Sequence, residues 1–312
     1  MTTAARVQAW RGAVAVTLGS GDLEATFLPE LNLLGVSLRY RAEEYFALPG
    51  GIGAYRRGHT TGLPLLAPWA NRLAGHTYRR GRVGVDLSGL DLHTDAEGLP
   101  MHGTLAARDA WQVTEISARG TRARLRAELE YSGPRLLAAF PFPHRLETRI
   151  QVDGRSLSIA TSLRPTGRRP VPVSFGYHPY LRLPGSPRSR WRLHLPRRVR
   201  LELDEHGIPN GRRAAERPEA APLGDRVLDD LFELEGRTLA LEAGGRRLSI
   251  RCEEGYAFAQ VFAPSGRRFV CLEPMTSPTN ALVTGACSAV DPGEVFTARF
   301  RIRPERTDAG VR

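Results

Sequence analysis

Hydrophobic alternation with a period of two runs through most of this 312-residue chain, broken at intervals by glycine-containing turns. Successive side chains of a strand point to opposite faces, so such alternation buries one face of a sheet and wets the other. Residues 13–18 and 23–28 alternate on either side of Gly19-Ser20-Gly21-Asp22. Leu146, Thr148, Ile150 and Val152 alternate up to Asp153-Gly154, and Leu157, Ile159, Thr161 and Leu163 alternate away. An Asp-Gly pair in that setting is a hairpin signal, because both central turn residues need positive φ. Residues 239–241 and 248–250 flank Gly244-Gly245 in the same manner, and 258–262 return through Pro264-Ser265-Gly266 into 269–272. Residues 295–302 read as a closing strand.

Many strands joined by hairpins predict an all-β fold, an antiparallel sandwich or barrel. Short helical turns are expected near residues 64–70 and 225–231, and sustained helical periodicity is absent. No composition shift marks a boundary, so one domain is expected over 1–304, with 305–312 a frayed tail. Residues 204–225, rich in Pro, Gly, Arg and Ala, read as a long functional loop.

The net charge of +11 invites a nucleic-acid reading, but all 44 basic residues are arginine and they are scattered along the chain, partly as pairs such as Arg56-Arg57 and Arg267-Arg268. Dispersed arginine suits solvated strand faces better than a phosphate groove, so no nucleic-acid partner is expected. The denser stretch over 188–200 alternates like an exposed edge strand, with an anion site as the alternative. There is no signal-type apolar core at the N-terminus and no run of about 18 apolar residues, so no membrane partner is expected. Three cysteines (Cys252, Cys271, Cys287) form no CxxC pair, and a soluble cytoplasmic protein is the expectation.

Chemistry concentrates at two places. His178 closes a strand-like run and precedes Pro179; Glu273 closes another and precedes Pro274. A residue before proline is held extended, and proline tends to mark a strand end or edge. A sheet would thus hold one potential acid and one potential base at fixed points. Asn71-Arg72 emerges from an apolar, proline-punctuated segment, where a guanidinium held partly buried suits hydroxyl or carboxylate oxygens. His102 precedes Gly103, which permits a tight turn or close ligand approach. Asp229 and Asp230 are adjacent, a pattern usual for a solvated turn or cap. Trp69 could stack on a sugar ring, though a buried tryptophan is more often core. There is no GxSxG elbow, P-loop or GxGxxG, and the eight histidines show no HxxxH or HExxH spacing, so neither nucleotide nor metal is expected. Acid–base chemistry without a cofactor remains.

Five segments resemble the aldose 1-epimerases, also called galactose mutarotases. They are Leu65-Leu66-Ala67-Pro68-Trp69-Ala70-Asn71-Arg72-Leu73, Met101-His102-Gly103, Phe175-Gly176-Tyr177-His178-Pro179-Tyr180-Leu181, Leu228-Asp229-Asp230-Leu231-Phe232 and Cys271-Leu272-Glu273-Pro274-Met275-Thr276. The resemblance implies a large antiparallel β-sandwich, or supersandwich, with an open sugar cleft and no cofactor. It implies that His178 protonates the ring oxygen, that Glu273 takes the anomeric proton, that Arg72 and His102 hold ring-side oxygens, and that Asp229 binds hydroxyls. Asn71 is placed beside Arg72 as a binding residue. The family often carries a second glycine where this chain has Thr104. The implied partner is an aldohexose, with a phosphorylated sugar or a non-catalytic sugar-binding role as alternatives; monomer and homodimer both stay open.

Overall fold

The computed structural model describes residues 3–105 and 107–307. Among these, most strands fall into antiparallel sheets of five, nine and eight strands, and the fold is a large antiparallel β-sandwich. The predicted hairpins form. Ala13–Ser20 pairs with Leu23–Leu28, and His144–Val152 pairs with Leu157–Pro165. Thr238–Ala243 pairs with Arg246–Glu254, and Phe258–Ala263 with Val270–Met275. Phe296–Arg306 lies between Leu157–Pro165 and Arg246–Glu254 and so completes the nine-stranded sheet.

The alternation does what its period predicts. Along Arg122–Tyr131, Ala123, Leu125, Ala127, Leu129 and Tyr131 are buried while Arg122, Arg124 and Glu130 are exposed. The inward rows join Val261, Val270 and Leu272 of the eight-stranded sheet in one continuous core. Each fully buried side chain of this kind contributes about 1.5–3 kcal/mol. Trp69 belongs to that core and is fully buried. Among the described residues no helix is long and apolar enough to cross a membrane.

The eight-stranded sheet positions the candidate site. Leu228–Leu234, Phe258–Ala263 and Val270–Met275 are successive neighbours, and the last also pairs with Gly176–Tyr177 and Tyr180–Leu181. Val261 lies opposite Leu272 on the core face. The opposite face therefore carries two rows: Asp229, Phe262 and Cys271 in one, Leu231, Gln260 and Glu273 in the next.

Several local expectations are corrected. Residues 64–70 are not helical: Leu65–Leu66 pairs with Gly176–Tyr177, and Ala67 and Trp69 make isolated bridges to Gly103 and Ser174. Prolines at 64 and 68 remove the donors a helical turn would need. Leu228–Leu234 is a strand, because ladder partners on both sides outweigh local preference. Among the described residues the α-helices are Gly51–Arg56, Pro134–Ala139 and Ala281–Thr284, with one 3-10 turn at Arg188–Arg190. Most of 204–225 is strand, Pro209–Glu216 and Glu219–Pro222; both are largely exposed, so no apolar alternation announced them. Pairing of Phe296–Arg306 extends through Arg306, past the expected start of the tail, and residues 308–312 lie outside the described residues.

Pro274 does not end its strand. It sits inside Val270–Met275, opposite Ala259. Its carbonyl points toward Gly176, where an added Cβ would lie 2.9 Å from that oxygen. The missing N–H therefore faces the same side, where partners change from Gly176 to Tyr180 and the ladder is already interrupted.

Three of the six arginines of 188–200, Arg188, Arg198 and Arg200, hold the fold together rather than forming a bare edge or an anion site, while Arg190, Arg192 and Arg197 are exposed. Arg188 is buried and donates to the carbonyls of Gly224 at 2.8 Å, Arg226 at 2.6 Å and Ala263 at 3.3 Å. Arg198 is buried against Glu216 at 2.5 Å and Glu219 at 2.9 Å, and Arg200 pairs with Glu216 and Asp230. Both guanidinium groups lie over the Phe232 ring, at 4.8 and 5.0 Å. Removing Arg188 strands three carbonyls. In urea unfolding, Arg188→Met is expected to cost about 2–4 kcal/mol, whereas Arg190→Met at an exposed position stays within about 0.5 kcal/mol. Equal small effects would contradict the buried-guanidinium assignment.

Candidate active site

A cleft of about 560 Å³ opens on the outer face of the eight-stranded sheet. Asn71, Arg72, His102, His178, Asp229 and Glu273 all line it, though they come from five separate segments. Strands supply the floor. Glu273 and Gln260 face each other across the ladder, and Asp229 lies one row away, where Gln260 Nε2 donates to its Oδ1 at 2.6 Å. Asp230 points to the opposite face and is taken by Arg200. Strand alternation thus separates two adjacent aspartates into a cleft residue and a structural one.

His178 follows Gly176–Tyr177, and its N–H donates to the Pro64 carbonyl at 3.1 Å. Its ring stacks on Tyr180 at 4.7 Å, and the Tyr180 hydroxyl is 2.6 Å from that of Thr60. Nε2 of His178 lies 3.4 Å from Oε1 of Glu273. The two residues are 6% and 2% exposed. Burial pushes the His178 imidazolium down to about 3. Burial, helped by the nearby Asp229 charge and opposed by Arg72, holds the Glu273 carboxyl well above the usual carboxylate range. Desolvation disfavours the charged form of each, so burial favours a neutral imidazole beside a protonated carboxyl.

The cleft wall is a pair of strained loops. Asn71 and His102 both occupy the left-handed region, at φ 58° and 64°. For histidine that geometry is uncommon and costs on the order of 1 kcal/mol. The His102 N–H donates to the Asn71 carbonyl at 2.9 Å, and Arg72 bridges Met101. Gly103 follows at φ 75°, and a Cβ there would meet the Ala67 carbonyl oxygen at 2.2 Å, so only glycine fits. Arg72 is oriented by Asp95, whose Oδ2 accepts from Nε at 2.9 Å, and by Asn71 Oδ1 at 3.3 Å from Nη1. The His102 ring meets His178 edge-on at 5.5 Å and stacks on His93 at 5.9 Å. Burial, with the His178, His93 and Arg72 charges, keeps His102 neutral well below the usual imidazole range. Its Nδ1 has no partner, nor have Nδ1 of His178 and Oε1 of Gln260.

Gln260, Asp95 and His93 were missed from the sequence. Gln260 is the one amide in the apolar run 258–262, a signal available in retrospect. Asp95 begins a tight turn in which its Oδ1 accepts from the N–H groups of Glu97 and Leu99, and nothing local announces its hold on Arg72.

The arrangement can move one proton between two oxygens of a bound polyol, while neutral and cationic donors hold the rest. A family model described as aldose 1-epimerase matches residues 53–303. No curated protein matches the sequence significantly. Among solved structures, the chain is similar to a galactose mutarotase-like protein from Clostridium acetobutylicum, with TM-score 0.88 and 17% identity over 98% of this chain and 99% of that one. It is also similar to a galactose 1-epimerase from Lactobacillus acidophilus (TM-score 0.79, 13% identity, 98% and 100% covered). An aldose epimerase homologue from C. elegans gives TM-score 0.76 at 14% identity, with 98% and 100% covered. At these identities the structures establish the shared fold, and the family match extends over four-fifths of the sequence: the chain belongs to the aldose 1-epimerase family.

Proposed function

We propose that this protein is an aldose mutarotase, interconverting the α and β anomers of a free aldohexose by acid–base ring opening and closure. The observation that carries this reading is the buried His178–Glu273 contact of 3.4 Å on the floor of a sugar-sized cleft that Arg72, His102, Asp229 and Gln260 also line. Opening a hemiacetal takes one proton from the anomeric hydroxyl and gives one to the ring oxygen. A pair holding a single proton is sufficient, and it is regenerated on closure.

In the assigned direction, His178 as imidazolium protonates the ring oxygen while Glu273 as carboxylate takes the anomeric proton. The open-chain aldehyde then faces a neutral imidazole and a protonated carboxyl, the charge state that burial favours. Rotation about C1–C2 presents the other aldehyde face. Closure returns the carboxyl proton to the aldehyde oxygen while His178 recovers the one on the ring-derived hydroxyl. On binding, sugar hydroxyls and the Arg72 guanidinium stabilise Glu273 as carboxylate, and the proton crosses the short contact to His178. Arg72 and neutral His102 donate to ring-side oxygens where negative charge develops. Asp229 and Gln260 receive hydroxyls at the other end. The phosphorylated-sugar reading rested on the arginines of 188–200, and the engagement of Arg188, Arg198 and Arg200 with protein carbonyls and carboxylates weakens its motive.

Polarimetry of freshly dissolved α-D-glucose and α-D-galactose tests the roles. His178→Asn and Glu273→Gln are each expected to lower kcat/KM about 10²–10⁴-fold with the fold intact. Unchanged mutarotation in either folded variant would sink the assignment. The pH dependence has a defined sign. Below about pH 3 both groups carry protons and no base remains; above the raised Glu273 value neither does and no acid remains. The acidic limb of kcat/KM is therefore expected far below the 6.5 of a free imidazole. An acidic limb near 6.5 would contradict a desolvated His178.

A further inference from the structure

Beneath the cleft floor, packed under Tyr180, Phe262 and Phe269, lies a third donor that the proposed reaction does not use. Cys271 sits two residues before Glu273 on the same face of Val270–Met275, fully buried and packed with Tyr180, Phe269 and Phe262. One ligand atom each from His178, Cys271 and Glu273 lie within 4.8 Å of one another. The His178 ring is more than nine-tenths buried, and its Nε2 faces Glu273 Oε1 at 3.4 Å. A small contraction, about 0.5 Å per ligand, would bring the three to the 2.0–2.3 Å distances of a bound zinc ion. Local spacing in the sequence could not show this, because the histidine lies far from the other two ligands.

The geometry points to a site for a borderline-soft divalent cation, zinc in particular, held by one imidazole nitrogen, one thiolate and one carboxylate, with its fourth position open to the sugar cleft. The mixed N, S and O set selects against magnesium and calcium, which take oxygen ligands. Binding forms a metal–sulfur bond as the thiol proton leaves to solvent; the carboxyl proton leaves likewise, and nothing is oxidised or reduced. The ion enters from the cleft, where His178 and Glu273 already line the floor. It occupies both groups that the mutarotase reading requires, so zinc is a competitive inhibitor; that consequence rests on the proposed function, whereas the binding itself does not.

Cobalt(II) serves as the spectroscopic probe on the full chain. Titration is expected to give a thiolate-to-cobalt charge-transfer band and the intense visible bands of a four-coordinate ion, saturating at one ion per chain and displaced by zinc. Cys271→Ser removes the charge-transfer band, while Cys252→Ser and Cys287→Ser leave it. In polarimetry, zinc raises KM at constant kcat in the wild type. Cys271→Ser keeps basal activity and weakens zinc inhibition by more than the ~10–100-fold that loss of a supporting residue costs. Should Cys271→Ser fold poorly, Cys271→Ala and the zinc-displaced spectrum of wild type carry the same test. The proposal is overturned by absence of the charge-transfer band, by its survival in the Cys271 variants, or by inhibition that sugar does not relieve. A cobalt site in a protein that accelerates no anomer exchange would leave the metal site standing and remove the mutarotase reading instead.

Discussion

Desolvation of two ionisable side chains in one patch of sheet is the constraint on which the rest of this structure turns. His178 and Glu273 are almost wholly buried and lie 3.4 Å apart. A lone charge in such a place is expensive, so each group is driven toward its neutral form and the pair settles on one shared proton. Water would abolish that arrangement. Its exclusion depends on the aromatic packing of Tyr180 and Phe262 around the imidazole, and on strand register that leaves Glu273 opposite an amide rather than a charge. Sheet, burial and chemistry are thus successive consequences of the same ladder.

The loops are tuned to that floor by means a regular sheet cannot supply. Left-handed Asn71 and His102 face each other through a backbone hydrogen bond, and Gly103 allows the chain to approach Ala67 closely enough to hold the turn. Local strain of this kind persists only where its surroundings over-determine it, and it is common at functional sites. Here the strain aims Arg72 and His102 at the space above Glu273. Asp95 fixes the guanidinium through Nε, and Asn71 Oδ1 accepts from Nη1.

What the sequence revealed, and what it concealed, follows from the range of the forces involved. Hairpins such as 144–165 and 238–254 were legible because alternation and turn chemistry are local. His178 and Glu273 were legible because the residue before a proline is unusual in a sheet, although the reason Pro274 is tolerated lies in a gap between two partner strands. The strands 209–216 and 219–222 were hidden because exposed ribbons carry no apolar period. Arg188 was read as surface because arginine usually is; its three carbonyl partners come from segments far along the chain. Gln260 enters the cleft, and Cys271 comes beside His178 and Glu273 beneath it, only through lateral register, which no single strand encodes.

The central claim is that His178 and Glu273 act as one proton-sharing unit, and the most direct measurement is a double-mutant cycle on kcat/KM for anomer exchange. If the pair is a unit, removing the second partner after the first costs little, and the double variant His178→Asn/Glu273→Gln is no slower than the slower single variant. Losses that multiply, each variant lowering the rate by the same factor whether or not the other is present, would show two independent groups and contradict the shared-proton account.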